Sequence, residues 1–204
     1  MSTFVDEFRG TDQLMIAEVL TDNNEENEGY TTGTPEVLAP VAEISKTVET
    51  ASATKYYDNA AALVIQSEGA DTITLAVPAL ALQTLAKVTG KKIDPTTGAL
   101  MDGIAAPKYY ALGYRLRLTD GTYRYVWRYK GRFAIPDETS ATENADADSQ
   151  GQSLTYTGIY TNHKFTKTGG PEKALVVDER DGLAKLDTFF SAVTTCDTIA
   201  AKTP

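Results

Sequence analysis

The stretch "YRLRLTDGTYRYVWRYKGRF", residues 114–133, decides the fold because its alternation and its turn residues predict a β-hairpin. Asp120-Gly121 between two alternating runs is typical of a two-residue type I′ turn, which needs positive φ at both central positions. This turn sets cross-strand pairs on one apolar, largely aromatic side: Leu118 with Tyr123, Leu116 with Tyr125, and Tyr114 with Trp127. Because side chains alternate between the two faces of a strand, this side is predicted to face the core.

The other side of the predicted hairpin carries its basic residues. There Arg117 faces Arg124, and the row continues with Arg115, Arg128 and Lys130. Like charges directly opposite each other destabilise a sheet by roughly 0.2 to 1 kcal/mol. We therefore expect carboxylates to cover this face. They come either from the same chain, as on an ordinary solvated strand face, or from another subunit.

The composition predicts an acidic globular protein. The 204 residues carry a formal net charge of −9 and are 42% hydrophobic, which is enough for a core, so we predict one domain, residues 1–204. A sequence pI near 4.7 argues against general binding to nucleic acid, which depends on positive surfaces. The longest apolar stretch, around Leu75 to Leu82, is too short to cross a bilayer, so no membrane insertion is expected. The single cysteine, Cys196, excludes an internal disulfide framework and is typical of a reducing cytoplasm.

Hydrophobic periodicity predicts that most of the chain forms strands. The predicted strands are residues 14–20, 42–50, 62–67, 71–77, 153–161 and 173–179, with Glu68-Gly69-Ala70 as a turn between the third and the fourth. Within 42–50, Ile44 and Val48 alternate with polar residues, and within 71–77, Ile73, Leu75 and Val77 do the same. The polar positions are Glu43, Ser45, Thr47 and Glu49 on the first of these strands, and Thr72 and Thr74 on the second. Both strands are therefore predicted to be half-buried, with a small, polar or acidic outer face.

Two helices are predicted. The first has Pro78 in its first turn and Gly90 just past its end, with an apolar stripe made of Ala81, Leu82, Leu85 and Val88. Gln83 and Lys87 fall on its opposite, wet face. The second covers residues 182–193, where Leu183, Leu186, Phe190 and Val193 recur at near-helical spacing.

Two loops, residues 21–35 and 136–152, are polar and acidic and have no apolar periodicity. The second contains acids and no base: Asp137, Glu138, Glu143, Asp146 and Asp148. Its 17 residues could span roughly 55 Å when extended, whereas a domain of this size has a radius of gyration of about 17 Å. This loop can therefore reach beyond its own subunit.

The sequence offers few residues for catalysis. His163 is the only histidine and Cys196 the only cysteine, so no Ser-His-Asp triad, histidine metal cluster or Cys-His pair can form without them. We interpret His163 as a surface or packing residue and Cys196 as an idle thiol. The glycines at 169–170 open no phosphate-binding loop, and "DPTTG" and "DERDG" lack the ligand spacing of a calcium loop. We predict no enzymatic activity, no cofactor and no metal.

Four segments occur in an order that resembles one protein family. They are "KYYDNAA" (55–61), "VPALALQTLAKVTG" (77–90), "KYYALGYRLRLTDGTYRYVWRYKGRFAIPDETSAT" (108–142) and "SLTYTGIY" (153–160). Together they resemble the major tail proteins, or tail tube proteins, of long, non-contractile-tailed bacteriophages. The likeness covers about residues 40–193 and rests on order and combined pattern, since no short catalytic signature is involved.

The resemblance implies a fold and an assembly. The fold is two packed antiparallel sheets, a β-sandwich or barrel, with one flanking α-helix and long loops. Tail tube proteins form hexameric rings that stack into a hollow tube for genome delivery. The implied partners are other copies of this chain and the tape measure, distal tail and tail terminator proteins. DNA passes through without specific binding. The implied location is the virion tail, assembled in the cytoplasm of the bacterial host.

Under this resemblance, two sets of residues gain expected roles. Arg115, Arg117, Arg124 and Arg128, with the acids Asp137, Glu138, Glu143, Asp146 and Asp148, are expected at subunit interfaces. Glu43, Ser45, Thr47, Glu49, Thr72 and Thr74 are expected to line the lumen, where a surface without positive charge does not hold DNA. Two other functions remain open: a nucleic-acid-binding β-ribbon protein that lays its arginine face on phosphates, and a monomeric β-sandwich binding module.

Overall fold

The computed structural model describes residues 5–24, 29–137, 140, 142 and 150–202. This part of the chain is mainly antiparallel β structure with sandwich-like packing and one α-helix, which confirms the predicted fold class. The strands are β1 (Phe8–Asp22), β2 (Tyr30–Thr32), β3 (Glu36–Val37), β4 (Glu43–Tyr57), β5 (Ala60–Val77), β6 (Lys92–Ile93), β7 (Leu100–Met101), β8 (Tyr110–Leu118), β9 (Tyr123–Phe133), β10 (Gln152–Gly158) and β11 (Ala174–Asp178). The helix, α1, is Leu82–Thr89.

The large sheet has nine strands in the order β2-β1-β8-β9-β10-β5-β4, with β3 added to β1 and β11 added to β9. Two strands, β10 and β11, pair with different parts of the same edge of β9. Its residues Arg124–Arg128 pair with β11, whereas Gly131–Phe133 pair with β10. The sheet divides there, so β1, β8 and β9 form one layer, and β10, β5 and β4 form the other.

The main core lies between these two layers. Leu14, Leu112 and Val126 from the first layer share one cluster with Ile73, Leu75 and Leu154 from the second. Ile73, Leu75 and Val77 are 0%, 0% and 3% exposed, which confirms that they point inward. The far side of the first layer is also covered, because Trp127 and Tyr129 pack under Phe165, Phe189 and Val193 from the C-terminal segment. The outer face of β10, β5 and β4 is thus the side of the sandwich without such a cover among the described residues.

The hairpin predicted over residues 114–133 forms, but its register differs by one residue from the predicted one. The amide of Leu118 donates to the Thr122 carbonyl at 2.9 Å, and Gly121, with φ 91°, occupies a three-residue loop. This is a type I turn followed by a left-handed residue, so Arg117 pairs with Tyr123 and Leu116 with Arg124. The predicted pairs and the single arginine side are therefore wrong. Both faces of this hairpin contribute to a core, and the arginines are distributed over both.

The helix is shorter than predicted. Its C-cap, Gly90, has φ 73°, so the predicted end is confirmed. Leu85 and Val88 are buried as expected, but Leu82 is 51% exposed, Ala81 is the N-cap, and Pro78 precedes the helix. The predicted helix over 182–193 is wrong. That segment forms a series of turns, and Phe189 and Val193 from these turns cover the sheet. Apolar residues at near-helical spacing can thus face the core from an irregular backbone as well as from a helix.

Strands β4 and β5 form one long hairpin. The predicted turn at Glu68-Gly69-Ala70 is a β-bulge inside β5, where the register shifts between Val48 and Thr50 of β4. The strands continue to a two-residue turn at Asp58-Asn59, both of which have positive φ. Residues 50–68, which we name the arm, are all exposed and project past the sandwich.

The two predicted loops have shorter irregular parts than expected. Residues 21–22 belong to β1 and Tyr30–Thr32 form β2, while residues 25–28 lie outside the described part. In 136–152, β10 begins at Gln152, and residues 138, 139, 141 and 143–149 lie outside the described part.

Candidate functional surfaces

The outer face of β4 and β5 carries the residues that were expected to line a lumen. Ser45 is paired across the sheet with Thr74, and Thr47 with Thr72, so these four side chains share one face. All four are exposed, as are Glu43 and Glu49 on the same strand. The structure therefore brings this predicted set together on one surface, while the lumen role itself stays a prediction.

Strand β10 extends the same face. Thr155 lies opposite Thr74, and Thr157 lies opposite Thr72, so rows of small hydroxyl side chains run across β4, β5 and β10. We name this surface the hydroxyl face; its members are Glu43, Ser45, Thr47, Glu49, Thr72, Thr74, Ser153, Thr155 and Thr157. The members on β10 were not predicted from the sequence, although the alternation in "QSLTYTG", with Leu154 and Tyr156 buried, indicates them.

The hydroxyl face has no positively charged member. Its side chains are serine, threonine and two glutamates, while the inner side of β4 carries Lys46, whose ammonium lies 3.7 Å from Asp71. At the border with β9, Arg132 lies opposite Thr157. The Arg132 guanidinium stacks on the Tyr109 ring at 4.0 Å, which holds it against the protein. A solute that moves along this face meets hydroxyl groups and carboxylates.

Three of the four arginines expected at an interface are paired within the chain. Arg115 forms a bidentate pair with Asp12 at 2.5 and 2.9 Å, and Arg124 forms one with Asp178 at 2.6 and 2.8 Å. The hydrogen bonds from Arg124 lower the pKa of Asp178. Bidentate pairs of this geometry are among the stronger charged contacts. The carboxylates that we expected to cover the arginines thus come from strands of the same chain.

Arg117 differs from the other arginines. It is exposed, and within the described part of the chain it takes part in no ion pair. Of the acids in the loop 136–152, Asp137 is exposed, while Glu138, Glu143, Asp146 and Asp148 lie outside the described residues. A role at a subunit interface therefore stays a prediction for all of them. The interface was predicted because the four arginines were expected to lack carboxylate partners in their own chain. Among these four, and within the described residues, this is true only of Arg117.

A buried ion cluster lies at the root of the arm. Asp71, which is 1% exposed, accepts hydrogen bonds from Arg128 at 2.8 Å and from Lys173 at 2.9 Å. Lys173 also donates to the Gly69 carbonyl at 3.0 Å and contacts Glu68. Burial alone would lower the pKa of Lys173, but its hydrogen bonds to Glu68 and Asp71 outweigh this effect and raise it. The cluster ties the bulge at which the arm begins to β9 and to the segment before β11.

The arm beyond this root exposes large apolar side chains. Tyr56 and Tyr57 are 67% and 63% exposed, and Leu63, Val64 and Ile65 are 50%, 57% and 49% exposed. A two-stranded ribbon with no third layer is marginally stable in water. Exposed apolar clusters of this kind mark sites of association between proteins.

The histidine and the cysteine have packing roles. The His163 ring lies edge-on to Phe165 with its Nδ1 at 3.1 Å from the Asn23 carbonyl oxygen, which agrees with the packing role expected for it. Burial raises the pKa of the Cys196 thiol, so the reactive thiolate is disfavoured. In the described ranges, no group of three or more His, Cys, Asp or Glu side chains is arranged to hold a metal ion. None of the helices described is long and apolar enough to cross a membrane.

Comparisons of the sequence with models of known protein families and with curated proteins found no match.

Proposed function

We propose that this protein is the structural subunit of a bacteriophage tail tube, which assembles into stacked hexameric rings that conduct the genome. The observation that supports this function best is the hydroxyl face. It is an uncovered sheet surface of small hydroxyls and carboxylates, and its reverse side is the core of the sandwich.

A wall of this composition suits the passage of DNA. Each lysine or arginine that contacts a phosphate adds affinity and therefore slows movement along the wall. The glutamates Glu43 and Glu49 repel phosphate only over about 8 Å at physiological ionic strength. The wall thus prevents adhesion without closing the passage.

Ring closure is supported by the free edge of the sheet. Strand β4 has 15 residues and ends the strand order, so its outer backbone groups have no partner strand among the described elements. A long free edge is a template for pairing with another chain. Pairing with a different edge of the next copy is a heterologous contact, which closes into a ring by cyclic symmetry.

The ion pairs within the chain argue against the alternative hypothesis, a nucleic-acid-binding β-ribbon protein. Arg115, Arg124 and Arg128 are each engaged by a carboxylate of the same chain, so binding a phosphate would require breaking that pair. The tape measure, distal tail and tail terminator proteins, and location in the virion tail, belong to the proposal through the family resemblance.

Electron microscopy of the purified full chain at rising concentration tests the proposed assembly. We expect rings and tubes, whereas particles that stay monomeric at every concentration contradict the proposal and favour a monomeric β-sandwich binding module.

A charge variant tests the lumen assignment separately. In Thr72→Lys/Thr74→Lys tubes we expect DNA to be retained at low salt and released as salt rises, because lysines on the wall would contact phosphates. Gln83→Lys, at an exposed position of α1, is the control with added charge elsewhere. Equal DNA retention by both sets of tubes would show that the hydroxyl face lies outside the conduit.

A further inference from the structure

We propose that the arm of one copy seats its apolar face in a groove at the opposite end of β4 and β5 of the next copy, so that copies join head to tail along the strand direction. This inference rests on the proposed function, since it assigns the contact by which successive rings stack.

The two faces of the arm differ in polarity. Cross-strand partners share a face, and the pairs Ala51 with Ser67, Ala53 with Ile65, and Lys55 with Leu63 lie on one side. The other side carries the pairs Thr50 with Glu68, Ser52 with Gln66, and Thr54 with Val64. The first side, which we name the apolar face of the arm, thus carries two alanines, a leucine and an isoleucine, together with one hydroxyl, Ser67, and one cation, Lys55. In one chain this face is exposed to water.

The groove lies where β5 ends and β4 begins. It has a volume of about 580 Å³ and a mostly apolar wall that includes Pro40, Val41, Ala42, Val77 and Pro78. Proline has no backbone N–H, so Pro40 and Pro78 add no hydrogen-bond donor to the wall that would require a polar partner. A groove of this composition fits short aliphatic side chains better than it fits a charged ligand.

A second copy of this chain is the occupant that the geometry and the charges favour. The arm and the groove lie at opposite ends of the same two strands, so joining them repeats the chain by translation and leaves an arm and a groove free at the two ends of any stack. Charge complements this fit, because Lys55 lies on the apolar face of the arm and Glu43 lies beside the groove, opposite Ala76. Ile65 and Val77 are 12 residues apart on β5, which predicts an axial repeat of about 40 Å, or less in proportion to the strand tilt.

Cysteine pairs test which surfaces meet. In a Cys196→Ser background, Leu63→Cys chains are mixed with Ala42→Cys chains and oxidised after assembly. With random mixing, a Leu63→Cys arm meets an Ala42→Cys groove at about one contact in four, so we expect up to about half of the chains to form disulfide-linked dimers. Thr54→Cys, on the other face of the arm, replaces Leu63→Cys in the matched control and is expected to stay monomeric. Equal cross-linking by both mixtures would overturn the assignment of the groove. Dimers formed by Leu63→Cys chains alone would also overturn it, because they would show that arms pair with arms.

Charge exchange separates this inference from the proposed function. Lys55→Glu would place a carboxylate next to Glu43 of the adjoining copy, so it is expected to reduce the share of tubes relative to rings. The further change Glu43→Lys is expected to restore that share. Rings that stack normally with Lys55→Glu overturn the inference and leave the proposed function standing. A wild-type chain that forms neither rings nor tubes overturns both.

Discussion

Replacement of Asp71 by asparagine removes the negative charge at the centre of the ion cluster without changing the shape of the side chain. Asp71 is 1% exposed and holds Arg128 at 2.8 Å and Lys173 at 2.9 Å. In Asp71→Asn the two buried cations, Arg128 and Lys173, keep their positions, and Arg128 loses its carboxylate partner. Lys46, whose partly exposed ammonium lies 3.7 Å from Asp71, loses that partner too. Lys173 retains Glu68, which is half exposed and therefore compensates only in part.

The expected destabilisation follows from this burial. Breaking a buried pair by removing one partner costs about 3–5 kcal/mol, because an uncompensated charge is left behind. In a domain of this size each kcal/mol shifts Tm by about 2–4 °C, so Asp71→Asn is expected to lower Tm by about 6–20 °C. The matched control is Asp12→Asn. Asp12 also holds an arginine in a bidentate pair, but its side chain is 46% exposed, so water screens the pair and we expect Asp12→Asn to cost about 1 kcal/mol.

Urea unfolding of the wild type and the two variants, followed by circular dichroism, measures the difference directly. Hydrogen exchange of residues 50–68 provides the second readout, because the cluster fixes the bulge from which the arm extends. We expect faster exchange there in Asp71→Asn and no change in Asp12→Asn. Equal destabilisation by the two substitutions would refute the reasoning, since it would mean that burial does not govern the strength of these pairs.

Four further outcomes are expected. Burial opposes ionisation of Asp22, but hydrogen bonds from Lys130 and from backbone amides outweigh it and lower its pKa. The ionised Asp22 carboxylate therefore stabilises the fold above about pH 4, and this stabilisation is lost as the pH falls through the lowered pKa. The free energy of unfolding of Asp22→Asn should accordingly fall less steeply at acid pH than that of the wild type. Burial raises the pKa of Tyr110 to about 12, so its contribution is present below about pH 10 and lost as pH rises through the raised pKa; Tyr110→Phe should reduce alkaline unfolding. Gly131→Ala should destabilise by about 1–3 kcal/mol or more in urea, because its Cβ would lie 2.3 Å from a tyrosine ring atom, whereas Gly103→Ala, with nothing within 4 Å, should be neutral. Tubes should persist in 1 M salt, where the Debye length is about 3 Å, because most arginines are already paired within the chain; light scattering that falls to the monomer level would contradict this.

The hairpin at 114–133 illustrates what its sequence could predict. Alternation and Asp120-Gly121 were sufficient to place two strands and a turn. They could not set the register, because a glycine in this position serves both a two-residue turn and a three-residue loop with a left-handed third residue. A shift of one residue moves every side chain on one strand to the other face relative to its partner strand. The prediction of a single arginine face failed for that reason alone.

The polar outer face of β4 and β5 was predictable because the strands have one wet side and one dry side. Period-two alternation then assigns each side chain to a face. The arm was not predictable in this way, because both of its faces are exposed and its sequence carries no consistent alternation against a core. The Glu68-Gly69-Ala70 segment has the composition of a turn, yet tertiary pairing with Thr50 keeps it within a strand. The acids that cover the arginines, Asp12 and Asp178, lie far from them in sequence, so only the fold could identify them.

These corrections change which forces would hold copies of the chain together. Arg115, Arg124 and Arg128 are each neutralised by a carboxylate of the same chain. Beyond a Debye length, these arginines therefore attract another subunit only weakly. The net charge of −9 then opposes association at long range. In the proposed assembly, the attraction therefore arises at contact, from the backbone groups along the edge of β4 and from the apolar face of the arm. Both act only when copies align, since a strand edge requires register and the groove admits one face of the arm.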